Sequence, residues 1–184
     1  MAIKALFRAE DLEGIQSLTG RKYELVRGEL YEMVTTLRHG AVTGRIFSLI
    51  DAWNCQTRAG LVMTDGGFTL ERNPDTVRGP DVSFVRKGRL TREQTRRGFP
   101  AIAPDAAFEV RSVNDTWAEM VRKAEEYLAK GTHIVVLVEA DEYAEVYRPG
   151  HEKRRLGLDD VLDGGDVLPG FNCRVRDLFP EEYD

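Results

Sequence analysis

The chain has 184 residues, 42% hydrophobic and 31% charged, with a formal net charge of -5. That length supports one domain with a substantial core, and the composition excludes disordered and collagen-like classes. The acidic balance excludes a protein that coats nucleic acid non-specifically, although a local basic patch can still hold DNA.

Residues 9–18 read as a short helix stopped by Gly20. Residues 22–26 and 29–34 alternate about Arg27-Gly28, the pattern of a β-hairpin. Within the first strand Glu24 falls on the opposite face from Tyr23 and Leu25, which by pattern alone makes it solvent-facing. His39 stands at or just before the start of a helix over residues 41–58, whose Val42, Ile46, Leu49, Ile50 and Trp53 share one face. A histidine in that place can hydrogen-bond a carboxylate, touch a phosphate, or do neither. Residues 61–65 and 68–71 predict a second hairpin around Gly66-Gly67, and Asn73-Pro74-Asp75 predicts a turn. Residues 82–85 are an apolar strand opened by Pro80-Asp81.

The loop 86–103 carries Arg86, Lys87, Arg89, Arg92, Arg96 and Arg97, and reads either as a solvated surface loop or as a contact for DNA. Residues 106–110 form a second apolar strand that carries Glu109 near its end. Alternation points Glu109 and Arg111 one way and Val110 the other. A helix over 114–130, capped by Asn114 or Asp115, collects Trp117, Met120, Val121, Ala124, Tyr127 and Leu128 on one face, with Lys123 off its middle. The β-branched run 133–139 predicts a central strand and 144–148 its antiparallel neighbour. The tail holds strand-like pieces from residue 156, a Gly164-Gly165 turn, and a short helix over 175–179 that stops at Pro180. Strand, long loop, strand, helix, strand, strand in this order specifies an α/β fold: a mixed β-sheet flanked by helices, in a single domain over residues 1–184.

Asp81 and Glu109 are the chemically informative residues, because each stands at the end of an apolar strand and a buried carboxylate needs a partner. One partner is a salt bridge to Arg78, Arg111 or Lys123. The other is a divalent cation held between the two carboxylates, which with a nearby lysine makes a site for phosphodiester hydrolysis. No GxxxxGK[ST], GxGxxG, GxSxG or HExxH pattern occurs, so no nucleotide cofactor is expected and several common hydrolase mechanisms fall away. Cys55 and Cys173 form no CxxC pair, which argues against zinc or a disulfide framework. No apolar run reaches the ~20 residues that span a bilayer. Met1–Arg8 lacks a signal-peptide pattern, so a cytoplasmic protein with no membrane partner is expected.

Taken together, Pro80-Asp81-Val82, Phe108-Glu109-Val110-Arg111-Ser112 and Lys123 with Glu126-Tyr127 closely resemble a large bacterial family of putative restriction endonucleases with the PD-(D/E)XK fold. The resemblance covers most of the chain, from the hairpin at 23–30 and His39 through to Val146-Tyr147-Arg148. It implies a restriction-endonuclease-like core with N-terminal β-hairpins, and a Mg²⁺-dependent endodeoxyribonuclease in which Mn²⁺ can substitute. By that resemblance Asp81 and Glu109 hold the metal together with the Val110 carbonyl. The wider superfamily's lysine position, two residues after Glu109, is held by Arg111, which does not readily give up a proton. Lys123 on the next helix then takes the lysine's role. Glu24 becomes an auxiliary acidic residue, and His39, Arg111 and Ser112 become supporting residues. The implied substrate is double-stranded DNA, cleaved to 5′-phosphate and 3′-hydroxyl ends by a homodimer, since cutting both strands with this fold generally needs two sites. Two alternatives stand beside it: a catalytically inactive nuclease fold that serves as a DNA-binding or interaction module, and a phosphodiesterase for small molecules.

Overall fold

The computed structural model describes residues 6–181; of the stretch read for a signal peptide, residues 1–5 lie outside the described residues. Helix α1 (Ala9–Thr19) ends at Gly20, which takes the left-handed cap conformation that glycine adopts without strain. Strands β1 (Tyr23–Val26) and β2 (Glu29–Glu32) pair antiparallel through a turn at Arg27 and Gly28, as the alternation predicts. Helix α2 (Leu37–Thr57) begins earlier than its apolar stripe suggests. The Thr36 hydroxyl caps it by accepting the His39 N–H, so His39 lies inside the first turn.

The second expected hairpin does not form. Strand β3 (Gly60–Thr64) pairs with β6 (Val82–Arg86), whereas β4 (Phe68–Glu71) pairs with β5 (Thr76–Arg78) in a different sheet. Asp65, at φ 53°, and the two glycines after it make a corner between sheets. Gly67 faces the Phe99 ring so closely that a Cβ there would lie 2.3 Å from it, so the corner is closed by the 86–103 loop.

Strand β7 (Ala106–Val110), helix α3 (Trp117–Ala129) and strand β8 (Ile134–Glu139) form a βαβ unit, and β7–β8 is the parallel pair of the main sheet. Helix α3 is capped by Thr116, not by Asn114 or Asp115. The Thr116 hydroxyl accepts the Glu119 N–H while the Glu119 carboxylate accepts the Thr116 N–H. Strands β9 (Tyr143–Tyr147) and β10 (Arg154–Gly157) extend the sheet antiparallel to β8. Strands β11 (Val161–Asp163) and β12 (Asn172–Arg174) make a separate pair before a 3-10 helix, Val175–Leu178.

The result is a mixed six-stranded sheet, in the order β10-β9-β8-β7-β6-β3, with a helix on each face, beside a four-stranded sheet ordered β2-β1-β5-β4. Alternation along β7 assigns the two layers. Ala106, Phe108 and Val110 join Val82 and Phe84 beneath Val42, Ile46 and Ile50 of α2, while Ala107 joins Val135 and Leu137 beneath Met120, Ala124 and Tyr127 of α3. Helix α1 covers the smaller sheet by packing Leu12 with Leu25 and Val77. Among the described residues no helix is long and apolar enough to cross a membrane.

Candidate active site

The register of the main sheet brings the two carboxylates together. The β6–β7 ladder runs from Phe84–Ala106 to Val82–Phe108, and one step further stands Asp81 against Glu109. Both are buried, at 4% and 5% exposure. Asp81 closes the ladder: its Oδ2 accepts the Val110 N–H at 2.7 Å and lies 3.2 Å from His39 Nε2, while Oδ1 takes neither contact. The His39 ring is buried with Nδ1 unpartnered. Burial lowers its affinity for a proton, but the hydrogen bond to Asp81, the Asp81 and Glu109 charges and the Val110 backbone together outweigh that and raise its pKa.

Glu109 faces the other helix. Its Oε1 accepts the Tyr127 hydroxyl at 2.9 Å, and Lys123 Nζ lies 2.9 and 3.0 Å from its two oxygens. Lys123 and Tyr127 are four residues apart on α3, so one helix face delivers both. The same ammonium reaches Glu24 Oε1 at 2.9 Å.

Glu24 is therefore not the solvent-facing residue that the strand pattern predicts. It is buried because β5 and the Arg78–Gly79 backbone cover its face of β1: Gly79 N–H donates to Oε1 at 2.9 Å and Arg78 Nη1 to Oε2 at 2.9 Å. Arg78 also grips Glu126 of α3 at 2.7 Å, so it ties the small sheet to the helix that carries Lys123.

The cluster holds more negative than positive charge. Glu24, Asp81, Glu109 and Glu126 face Arg78, Lys123 and the titratable His39. The imbalance falls on Glu109, whose pKa burial pushes up to about 8. Lys123 opposes that rise, and the neighbouring Asp81 and Glu24 charges add to it. Burial also disfavours the charged form of Glu24, yet Lys123 and Arg78 hold it below its ordinary value. Lys123 is driven well above its ordinary value, because Glu109 and Glu24 more than offset the burial that lowers it. Two carboxylates within 3.0 Å of its Nζ favour the cation.

The supporting residues divide. His39 and the Val110 backbone join the cluster, whereas Arg111 and Ser112 do not. Strand β7 ends at Val110, and the parallel register sets Arg111 beside Glu139, to which its guanidinium donates at 2.6 Å. Ser112 donates its backbone N–H to Asp115. Arg78, read from the sequence as a salt-bridge partner for Asp81 or Glu109, pairs instead with Glu24 and Glu126, and the role of Tyr127 was not read from the sequence. Arg78 lies three residues before Asp81, and Tyr127 counts as one more apolar position in the α3 stripe. The available signal was the i, i+3 and i, i+4 spacing that sets Glu126 and Tyr127 beside Lys123.

Among the described residues no three His, Cys, Asp or Glu side chains form a ready-made cation cage. Two adjacent buried carboxylates with surplus negative charge do suit a hydrated hard cation such as Mg²⁺. That ion typically binds one or two carboxylates and draws its other ligands from water and phosphate.

The sequence profile of the Uma2 family, described as "Putative restriction endonuclease", matches residues 9–176. No curated protein matches the chain. A crystal structure of a putative nuclease belonging to DUF820, from Anabaena variabilis ATCC 29413, superposes with a TM-score of 0.77 at 22% identity. The match covers 91% of this chain and 96% of that one, and establishes a shared fold. A DrdV–DNA complex aligns at 16% identity over 82% of this chain and 12% of its own, with a TM-score of 0.44, too loose to carry an argument.

Proposed function

The chain belongs to the Uma2 family of putative restriction endonucleases, and on that premise we propose that it is a metal-dependent endodeoxyribonuclease acting at Asp81, Glu109 and Lys123. The observation that carries this reading is the juxtaposition at the end of the β6–β7 ladder: two buried carboxylates side by side, with a buried lysine against one of them. Asp81 and Glu109 would hold Mg²⁺ or Mn²⁺, with the Val110 carbonyl as a further oxygen. When bound, the ion polarises the scissile phosphate and acidifies water.

The chain's own residues supply the remainder. The Val110 N–H and His39 fix the orientation of the Asp81 carboxylate. The Tyr127 hydroxyl does the same for Glu109. Glu24 aims the Lys123 ammonium, and Arg78 in turn holds Glu24. Held as a cation between Glu24 and Glu109, Lys123 acts by stabilising the negative charge that develops on the phosphate or by orienting water. The substrate is DNA, cut by a pair of chains acting together.

One observation favours the rival reading, an inactive fold retained for binding. Both carboxylates already have protein partners, His39 for Asp81 and Lys123 with Tyr127 for Glu109. A supercoiled-plasmid assay separates the two. The nuclease reading predicts nicking that requires Mg²⁺ or Mn²⁺, stops with EDTA, is abolished in Lys123→Ala and persists in Arg111→Ala. A metal-supplemented wild type that leaves the plasmid intact defeats it.

A further inference from the structure

The cations at the two ends of the main sheet are used differently. At the Asp81 end, Lys22 pairs with Asp65, Arg38 with Asp141 and Arg111 with Glu139, so the positive charge around the carboxylates is largely neutralised. The far end is set by register: Gly60 of β3 pairs with Arg86 of β6, and the Lys87 N–H donates to the Ala59 carbonyl at 2.8 Å. This joins the end of α2 to the start of the basic loop. Arg58 and Lys87 there, and Arg92, Arg96 and Arg97 further along the loop as it runs back toward the Gly67 corner, are exposed, and among the described residues their side chains have no hydrogen-bond or ion-pair partner. Arg86 and Arg89 are anchored on Asp105 and hold the loop in place. From residue 86 to 97 the chain counts six cations against one anion, Glu93, in a protein whose net charge is -5.

A cleft of about 630 Å³ lies in this region. It is lined by apolar Leu61, Val85 and Leu90 together with the cations Arg58, Arg86 and Lys87. That combination suits a sugar–phosphate strand, with phosphate oxygens on the cations and sugar carbons on the apolar side chains.

We propose that this cleft and the loop that leads from it toward the Gly67 corner form a second DNA-backbone contact, distinct from the Asp81–Glu109 cluster. The five residues of β6 set the spacing of the cleft: at ~3.3 Å per residue its Arg86–Lys87 edge lies about 16 Å from Asp81, roughly five base pairs of duplex. The patch supplies the electrostatic affinity that the neutralised rim of the catalytic end lacks, and it explains how an acidic protein holds a polyanion. The proposal rests on DNA being the substrate, and its test is arranged to fail separately from the nuclease reading.

The experiment is fluorescence anisotropy with a duplex of about three helical turns, in EDTA so that no cutting intervenes, across a salt series. It compares wild type, a triple variant (Arg92→Glu, Arg96→Glu, Arg97→Glu) and a double variant (Arg58→Glu, Lys87→Glu), all checked for native thermal unfolding. Both variants are expected to bind at least about tenfold more weakly, and the triple variant's salt slope is expected to fall by about 2.7, at ~0.9 per phosphate contact. In plasmid cleavage the variants raise KM and leave kcat unchanged. Wild-type affinity and slope in both variants overturn the proposal, even where the wild type nicks plasmid. Binding lost in the variants while the wild type never nicks supports this contact and removes the nuclease reading instead.

Discussion

At the scale of single residues, the site is a problem in distributing too few cations among buried carboxylates. Glu109 bears the consequence, and this gives a signed pH dependence. Its pKa in the folded chain, about 8, lies above the ordinary 4.5, so folding takes up a proton between those values. The contribution to stability is full below pH 4.5 and is lost as the pH rises through about 8. In EDTA, Glu109→Gln is therefore expected to gain stability relative to wild type as the pH rises across that window. Thermal melts of both proteins across the pH range check it, and parallel curves would contradict it. Tyr127→Phe removes the hydroxyl that orients Glu109 and is expected to lower cleavage or metal affinity about 10–100-fold while the fold survives, measured by nicking rate against metal concentration. Asp81 and Glu109 were legible as site candidates because each carboxylate breaks an apolar strand, whereas Lys123, off the apolar stripe of its helix, was singled out by the family resemblance. Glu24 was not legible from its strand, since its burial comes from β5 and Arg78, distant in sequence.

At the scale of elements, strand type was easier to read than strand partnership. Both strands around Gly66-Gly67 form where alternation places them, but they enter different sheets because β6 and β5 offer each a longer or better-buried partner than the other would. β5 itself, three residues long, is too short to leave a periodic signal. Helix α3 could be placed from its apolar stripe, and its cap fell one residue beyond Asp115 because Thr116 has Glu119 at the reciprocal position. The β3–β6 pairing that separates the catalytic end from the basic end depends on Gly60. A Cβ there would come within 2.1 Å of the Val85 carbonyl and 2.6 Å of the Phe84 ring. Gly60→Ala is expected to cost about 3 kcal/mol in chemical denaturation. A neutral result would mean that the β3 edge is looser than its register implies.

At the scale of the whole molecule, function follows from where charge is left over. Surplus negative charge is buried where β6 and β7 meet and surplus positive charge is exposed at Arg58 and along the 86–97 loop, and neither is visible in a net charge of -5. The basic loop was legible as a feature of the sequence, but its position relative to Asp81 was not, because that depends on β6, which carries its start away from Asp81, and on Phe99, which docks its later part on the Gly67 corner. The measurement that bears most directly on this account is calorimetric titration of Mn²⁺ into wild type and Asp81→Asn. The account predicts saturable binding in the wild type that is lost in the variant, with Lys123→Ala retaining it. No binding in the wild type, or equal binding in Asp81→Asn, would contradict the assignment of Asp81 and Glu109 as a metal centre.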